Sequence, residues 1–226
     1  MFAQIIQGRT SDADAVRAAM DRWMQELQPG SVGWLGSTAG VTDDGRFVAV
    51  ARFESAEAAA RNSERPEQSR WWEETQQCFD GEVTFADSED VEVDLSGDPD
   101  RAGFVQVMQG RVSDPARAKE LVARMSTQDM ADFRPDVLGS VMIYHAPDRW
   151  TQVIYFTSEA EAREGERKEA PPEMQAVMEE LMALSPEPPE FIDLRHPLLQ
   201  SPTATAADVP GPRAAAEAAE KAEPAT

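Results

Sequence analysis

The chain states one domain-sized pattern twice. Phe2-Ala3-Gln4-Ile5-Ile6-Gln7-Gly8-Arg9-Thr10-Ser11-Asp12 returns as Phe104-Val105-Gln106-Val107-Met108-Gln109-Gly110-Arg111-Val112-Ser113-Asp114. Leu35-Gly36-Ser37 returns as Leu138-Gly139-Ser140, Phe53 and Ser55 as Phe156 and Ser158, and Asp94-Leu95 as Asp193-Leu194. The offset stays close to 102 residues until the last strand. That is too long for a solenoid unit, so the repeated object is a domain.

Each copy runs through the same periodicities. Residues 2–7 read as a strand, and Ser11-Asp12 supplies capping oxygens to a helix in which Val16, Met20, Trp23 and Leu27 recur at helical spacing. Residues 32–41 and 46–53 form a hairpin around Asp43-Asp44-Gly45. Ser55 caps a second helix, Pro66 interrupts it, and 83–95 read as one last strand. The second copy repeats this order. It has a helix after Asp114-Pro115 with Ala118, Leu121, Val122 and Met125 on its buried face, a hairpin around Ala146-Pro147-Asp148, and a final strand over 191–194. The order is β-α-β-β-α-β, which is ferredoxin-like. The expected class is α+β: a first repeat over 1–95, a linker over 96–102, a second repeat over 103–199, and a disordered acidic tail over 200–226 without an apolar stripe.

Strand neighbours point to opposite faces. Phe47, Ala49, Ala51 and Phe53 therefore share one face while Val48 and Val50 share the other, and both faces are apolar. Helices cover one side, and the natural cover for the other is the sister sheet. The expectation is a monomer with an internal pseudo-dimer, the sheets packed as an intramolecular dimeric α+β barrel. Pairing of each half with another copy of the chain, giving a larger oligomer, is the alternative.

The formal net charge is −21. With 20 acidic and 8 basic residues, 1–98 carry −12; with 18 and 11, 99–199 carry −7. The acidity thus belongs to both folded halves, and it opposes nucleic-acid binding, which needs clustered Lys and Arg. No apolar run reaches a membrane span, no signal pattern precedes Phe2, and the expected location is cytoplasmic. The single cysteine, Cys78, excludes an internal disulfide framework. His145 and His196 lack ligand spacing, and neither a phosphate loop nor a nucleophile elbow is present, so no metal or cofactor is expected.

Phe53, Ser55, Glu57, Ala58, Asn62, Pro66 and Trp72, with Phe156, Ser158, Glu161 and Ala162 in the second half, carry a resemblance. Over roughly 2–95 and 104–194 the chain resembles the antibiotic-biosynthesis monooxygenase type of dimeric α+β barrel, as a tandem duplication. The resemblance implies cofactor-independent oxygenation of a small aromatic or enolisable substrate by dioxygen, with Asn, Trp and Arg around a pocket between sheet and helices. Heme degraders of this type carry a histidine on the second helix, which neither His145 nor His196 matches.

On that reading the pocket belongs to the first repeat. Asn62, Arg52 and Trp72 are the candidate catalytic residues, and Trp71, Gln4 and Trp34 the candidate substrate-binding residues. An amide and a guanidinium would hold a developing oxyanion, and indoles would stack on a planar ring. Each also has a plain structural role: a packed indole, a helix-end amide for Asn62, and a salt bridge to a helix glutamate for Arg52. The buried amides of Gln4 and Gln106 either line a pocket or bond one another across the internal axis. His145 at its hairpin is a conceivable base or a surface residue. The alternative function is a non-catalytic ligand- or protein-binding module of the same fold.

Overall fold

A computed structural model describes residues 1–95, 97–124 and 131–202. The first repeat contributes β1 (Phe2–Arg9), α1 (Ala13–Glu26), β2 (Trp34–Val41), β3 (Arg46–Phe53), α2 (Ala56–Ser63), α3 (Pro66–Thr75), β4 (Thr84–Ser88) and β5 (Val91–Asp94). The second contributes β6 (Phe104–Arg111), α4 (Pro115–Ala123), β7 (Val137–His145), β8 (Arg149–Phe156), α5 (Glu159–Gly165), α6 (Pro172–Leu184), β9 (Glu190–Leu194) and β10 (Leu198–Gln200). Met125 and, from residue 203, the expected tail lie outside the described residues.

Local chemistry starts the helices where the sequence places them. Asp12, Ser55, Asp114 and Ser158 each accept the backbone N–H three residues on, satisfying a donor that the first helical turn leaves free. Pro66 and Pro172 sit in the first turns of α3 and α6, where a missing N–H costs nothing.

The strands form two antiparallel five-stranded sheets, ordered β10-β2-β3-β1-β4 and β5-β7-β8-β6-β9. The expected barrel is not formed. The two sheets share no strand and stay open, packed face to face. The chain crosses between them at two corners, and the ladder breaks at both. At one, the backbone turns through Glu89-Asp90, where the Ser88 hydroxyl accepts the Asp90 N–H at 3.0 Å. At the other it passes Arg195-His196-Pro197, and proline has no N–H to give a ladder.

The single last strand expected over 83–95 is therefore two strands in two sheets. β4 pairs with β1, but β5 crosses over and pairs with β7 of the second repeat. In return β10, which has no counterpart in the expected order, pairs with β2 of the first repeat. This also corrects the match of Asp94 to Asp193. Asp193 lies opposite Gln106 as Asp87 lies opposite Gln4, so the true partners are Asp87 and Asp193.

The repeated Leu-Gly-Ser marks a bulge in each repeat, between Trp34 and Gly36 and between Val137 and Gly139. Gly36 has φ 129° and Gly139 φ 155°. A Cβ on Gly36 would lie 2.9 Å from the Gln200 carbonyl oxygen, and one on Gly139 2.6 Å from that of Asp94. Those carbonyls belong to the exchanged strands, so the glycines make room for the exchange.

Ala3, Ile5, Val48 and Val50 of one sheet pack with Val105, Val107, Val141, Ile143 and Val153 of the other. This β-branched layer is the shared core that the two-sided strands call for. The helix-covered faces differ. In the first repeat they hold large aromatic clusters around Trp23, Trp34, Trp71, Phe47 and Phe79. The matching cluster of the second repeat is Phe104, Phe156 and Ala162 with Val137 and Ile154.

Candidate functional site

The six residues singled out from the sequence do not converge. Trp34 and Trp71 join the aromatic layer under the first-repeat helices, and Trp72 packs against it. Ala51 and Phe53 face that layer, so Arg52 between them faces the opposite way, into the inter-sheet space. There its charge acts on Tyr155 of the second repeat. Gln4 donates to Asp87 at 2.9 Å.

The first-repeat layer is filled and internally satisfied. Adjacent positions on a helix point about 100° apart, so Trp71 turns to α1 and Trp72 to the sheet. Trp71 donates its ring N–H to the Ala19 carbonyl oxygen at 3.0 Å. Trp23 donates to Gln68 at 2.8 Å and Trp34 to Ser37 at 2.9 Å, and their rings meet edge to face at 5.1 Å. Trp72 sits 6.4 Å from Phe79 and 5.3 Å from Phe85. Asn62 is buried and accepts from Arg65 at 3.0 Å, while Arg65 also donates to the Leu27 carbonyl oxygen at 3.0 Å. This arrangement ties α1, α2 and α3 together.

The second repeat is open where the first is filled. By register Trp150 stands where Phe47 does, opposite Gly110 as Phe47 is opposite Gly8. Gln152 replaces Ala49 and Met108 replaces Ile6. α6 carries Met174, Val177 and Met178 in place of indoles. The result is an apolar cavity of about 530 Å³ between the sheet and helices α4 and α6. Met108, Met142, Tyr144, Trp150 and Gln152 form its floor, and Met178 and Leu181 its wall.

Three polar groups of this cavity are spare. The Tyr144 hydroxyl, the Gln152 amide and the Trp150 ring N–H take no hydrogen-bond partner from the described residues. Lys119 lies 4.3 Å above the Tyr144 ring and pairs with Asp90 at 2.5 Å. Burial first, then the charges of Glu92 and Asp90, push the Tyr144 phenol up to about 12. At neutral pH it is a hydrogen-bond donor and not a base.

A smaller polar cleft of about 340 Å³ adjoins this cavity, sharing Trp150 and Glu187 and reaching Gln7 and Gln109 between the sheets. Gln7 donates to Gln109 at 2.9 Å, Gln109 donates to Thr151 at 3.1 Å, and His145 Nε2 meets Thr151 at 2.9 Å. The glutamines that join the repeats are thus these two. Gln106, like Gln4, bonds its own edge strand, through Asp193 at 3.0 Å. Burial and then Arg149 hold His145 below the ordinary imidazole range.

The sequence signal for the second-repeat cavity was its methionines. Met108, Met142, Met178 and Met182 sit where a core would be aromatic or branched, and methionine fills irregular space adaptably. Among the described residues, no group of three His, Cys, Asp or Glu side chains is placed to hold a metal ion, and no helix is long and apolar enough to cross a membrane.

No protein-family model matches the chain, and no curated protein matches its sequence. Solved structures do resemble it. A candidate monooxygenase from Lactobacillus acidophilus NCFM superposes with a TM-score of 0.68 at 13% identity, covering 90% of this chain and 97% of that one. Another, from Fusobacterium nucleatum subsp. nucleatum ATCC 25586, gives 0.70 at 10% identity over 90% and 95%. An anthrone oxidase-like protein gives 0.61 at 11% identity over 88% and 92%. The chain therefore has the ferredoxin-like fold, in two copies, of these monooxygenase-related structures.

Proposed function

We propose that the chain is a cofactor-independent monooxygenase that acts on a small aromatic or enolisable molecule in the second-repeat cavity. The observation that carries this reading is an apolar cavity which, among the described residues and apart from the exposed Glu187, offers three uncommitted hydrogen-bond donors, Tyr144, Gln152 and Trp150. The likeness to monooxygenase-related structures supports the reaction class by analogy of fold.

The chemistry is compatible with such a wall. A ring-activated CH2 loses a proton to solvent water or hydroxide to give an enolate, whose oxygen takes hydrogen bonds from the neutral Tyr144 phenol and the Gln152 amide. The carbanion passes an electron to dioxygen, the radicals combine into a C–O bond, and the protonated peroxide loses water. One CH2 and one O2 become one C=O and one H2O, with no external reductant. The apolar surround favours uncharged substrate and dioxygen alike.

A second reading is a binding module without turnover. Glu187 is the one carboxylate lining the cavity, and it is exposed, so no buried base stands there. Oxygen uptake with anthrone and hydroquinone probes separates the two. Monooxygenation predicts uptake that falls at least tenfold in Tyr144→Phe combined with Gln152→Leu and survives in Asn62→Ala. Tight probe binding with no oxygen consumed establishes the module instead.

A further inference from the structure

We infer that the ligand of the second repeat is an aromatic head carrying an extended apolar chain, the head in the Tyr144 cavity and the chain in a neighbouring one. This rests on the reading that the Tyr144 cavity is the site. A second cavity of about 540 Å³ adjoins the first, and Met108 and Met178 line both. Either cavity alone lies within the ~300–1,000 Å³ range of small-molecule sites. Together the two exceed what one compact ring system would fill.

The two chambers differ in chemistry. The first presents three spare donors. The second is walled by Phe133, Ile154, Phe156 and Phe191, and its two arginines are already matched. Arg134 pairs with Asp136 at 2.7 Å and lies 5.4 Å from the Phe156 ring centre; Arg163 pairs with Asp193 and with Glu166. Lys168 is exposed to solvent. A polar group gains little in this chamber, whereas hydrocarbon gains burial.

The sister repeat has an aromatic partner at this position that the second repeat lacks. Phe85 lies opposite Ile6 as Phe191 lies opposite Met108. Trp72 covers Phe85 edge-on at 5.3 Å. Helix α6 sets no aromatic ring against Phe191; Phe85 and Phe191 are 49% and 53% exposed, and Met178, which lines the same chamber as Phe191, is 47% exposed. An apolar chain lying between Phe191 and Met178 would bury both side chains.

The test is calorimetric titration of the full chain with 1-naphthol and with 4-octyl-1-naphthol. The expected result is a dissociation constant at least tenfold lower for the octyl probe. Ile154→Trp, which fills the second chamber, and Phe191→Ser, at a half-exposed site that tolerates the change, should each bring the ratio of the two constants toward one. Ring binding with no chain increment, or an increment that survives both substitutions, overturns this inference and leaves the proposed site standing. Failure of both probes to bind overturns the two together.

Discussion

Gln7 donates its side-chain amide to the Gln109 carbonyl oxygen at 2.9 Å, so two residues holding the same place in the two repeats touch across the internal axis. Truncating either one leaves a half-buried amide without its partner. Gln7→Ala and Gln109→Ala should each cost about 1–2 kcal/mol, and their double-mutant cycle should show coupling of about 1 kcal/mol. Urea denaturation of the four proteins measures this; additive losses would mean the bond contributes nothing.

The bulge glycines admit the exchanged strands. Gly36→Ala and Gly139→Ala should each lose about 1–3 kcal/mol, from positive-φ strain and from the clash with the Gln200 or Asp94 carbonyl. Hydrogen exchange should show early opening of β10 in the first variant and of β5 in the second. Uniform protection in both would separate the glycines from the exchange.

Asn62 ties helices together in this structure. Asn62→Ala removes the acceptor for Arg65 and should cost about 1–3 kcal/mol. Oxygen uptake per folded molecule should stay at the wild-type level. Loss of turnover at unchanged stability would return the site to the first repeat.

Tyr144 stays protonated through the moderately alkaline range. Its phenol is held up to about 12, so the affinity of 1-methoxynaphthalene, a probe that does not ionise, should hold as the pH rises from 7 to 10. Against the unfolded phenol near 10 the folded group binds its proton more tightly, so this contribution to stability is complete below pH 10 and shrinks above it. Ultraviolet titration of tyrosinate, compared with Tyr144→Phe, follows the group directly.

His145 works in the other direction. Its pKa is depressed by burial, so the unfolded chain takes up the proton first as the pH falls below about 6.5. The thermal midpoint should drop between pH 7.5 and 5.5, above the range where most carboxylates titrate. His145→Asn should flatten that slope, and an unchanged slope would assign it to other groups.

Much of the fold was legible because repeats and periodicities are local. The duplicated strand-helix order, the four side-chain caps and the two-sided apolar strands all follow from neighbouring residues. The strand exchange was not legible. Whether 91–94 pair at home or abroad depends on a bend at Glu89-Asp90 and on distant glycines, and the short Asp-Leu match disguised it. The cavity of the second repeat was not legible for a related reason. Tryptophans suggest a pocket to a reader of sequence, but Trp71 and Trp72 have the volume and the partners to fill one. Openness comes from what the second copy lacks, and Met108, Met142 and Gln152 declare that only when laid beside Ile6, Ala39 and Ala49.

The packed layer of one repeat and the chambers of the other have an evolutionary corollary. Two identical subunits must accept every substitution together, so hollowing one hollows its mate. Joining both copies in a single gene lifts that constraint. One copy is then free to specialise as ballast, and the other can give up stability for room without endangering the whole.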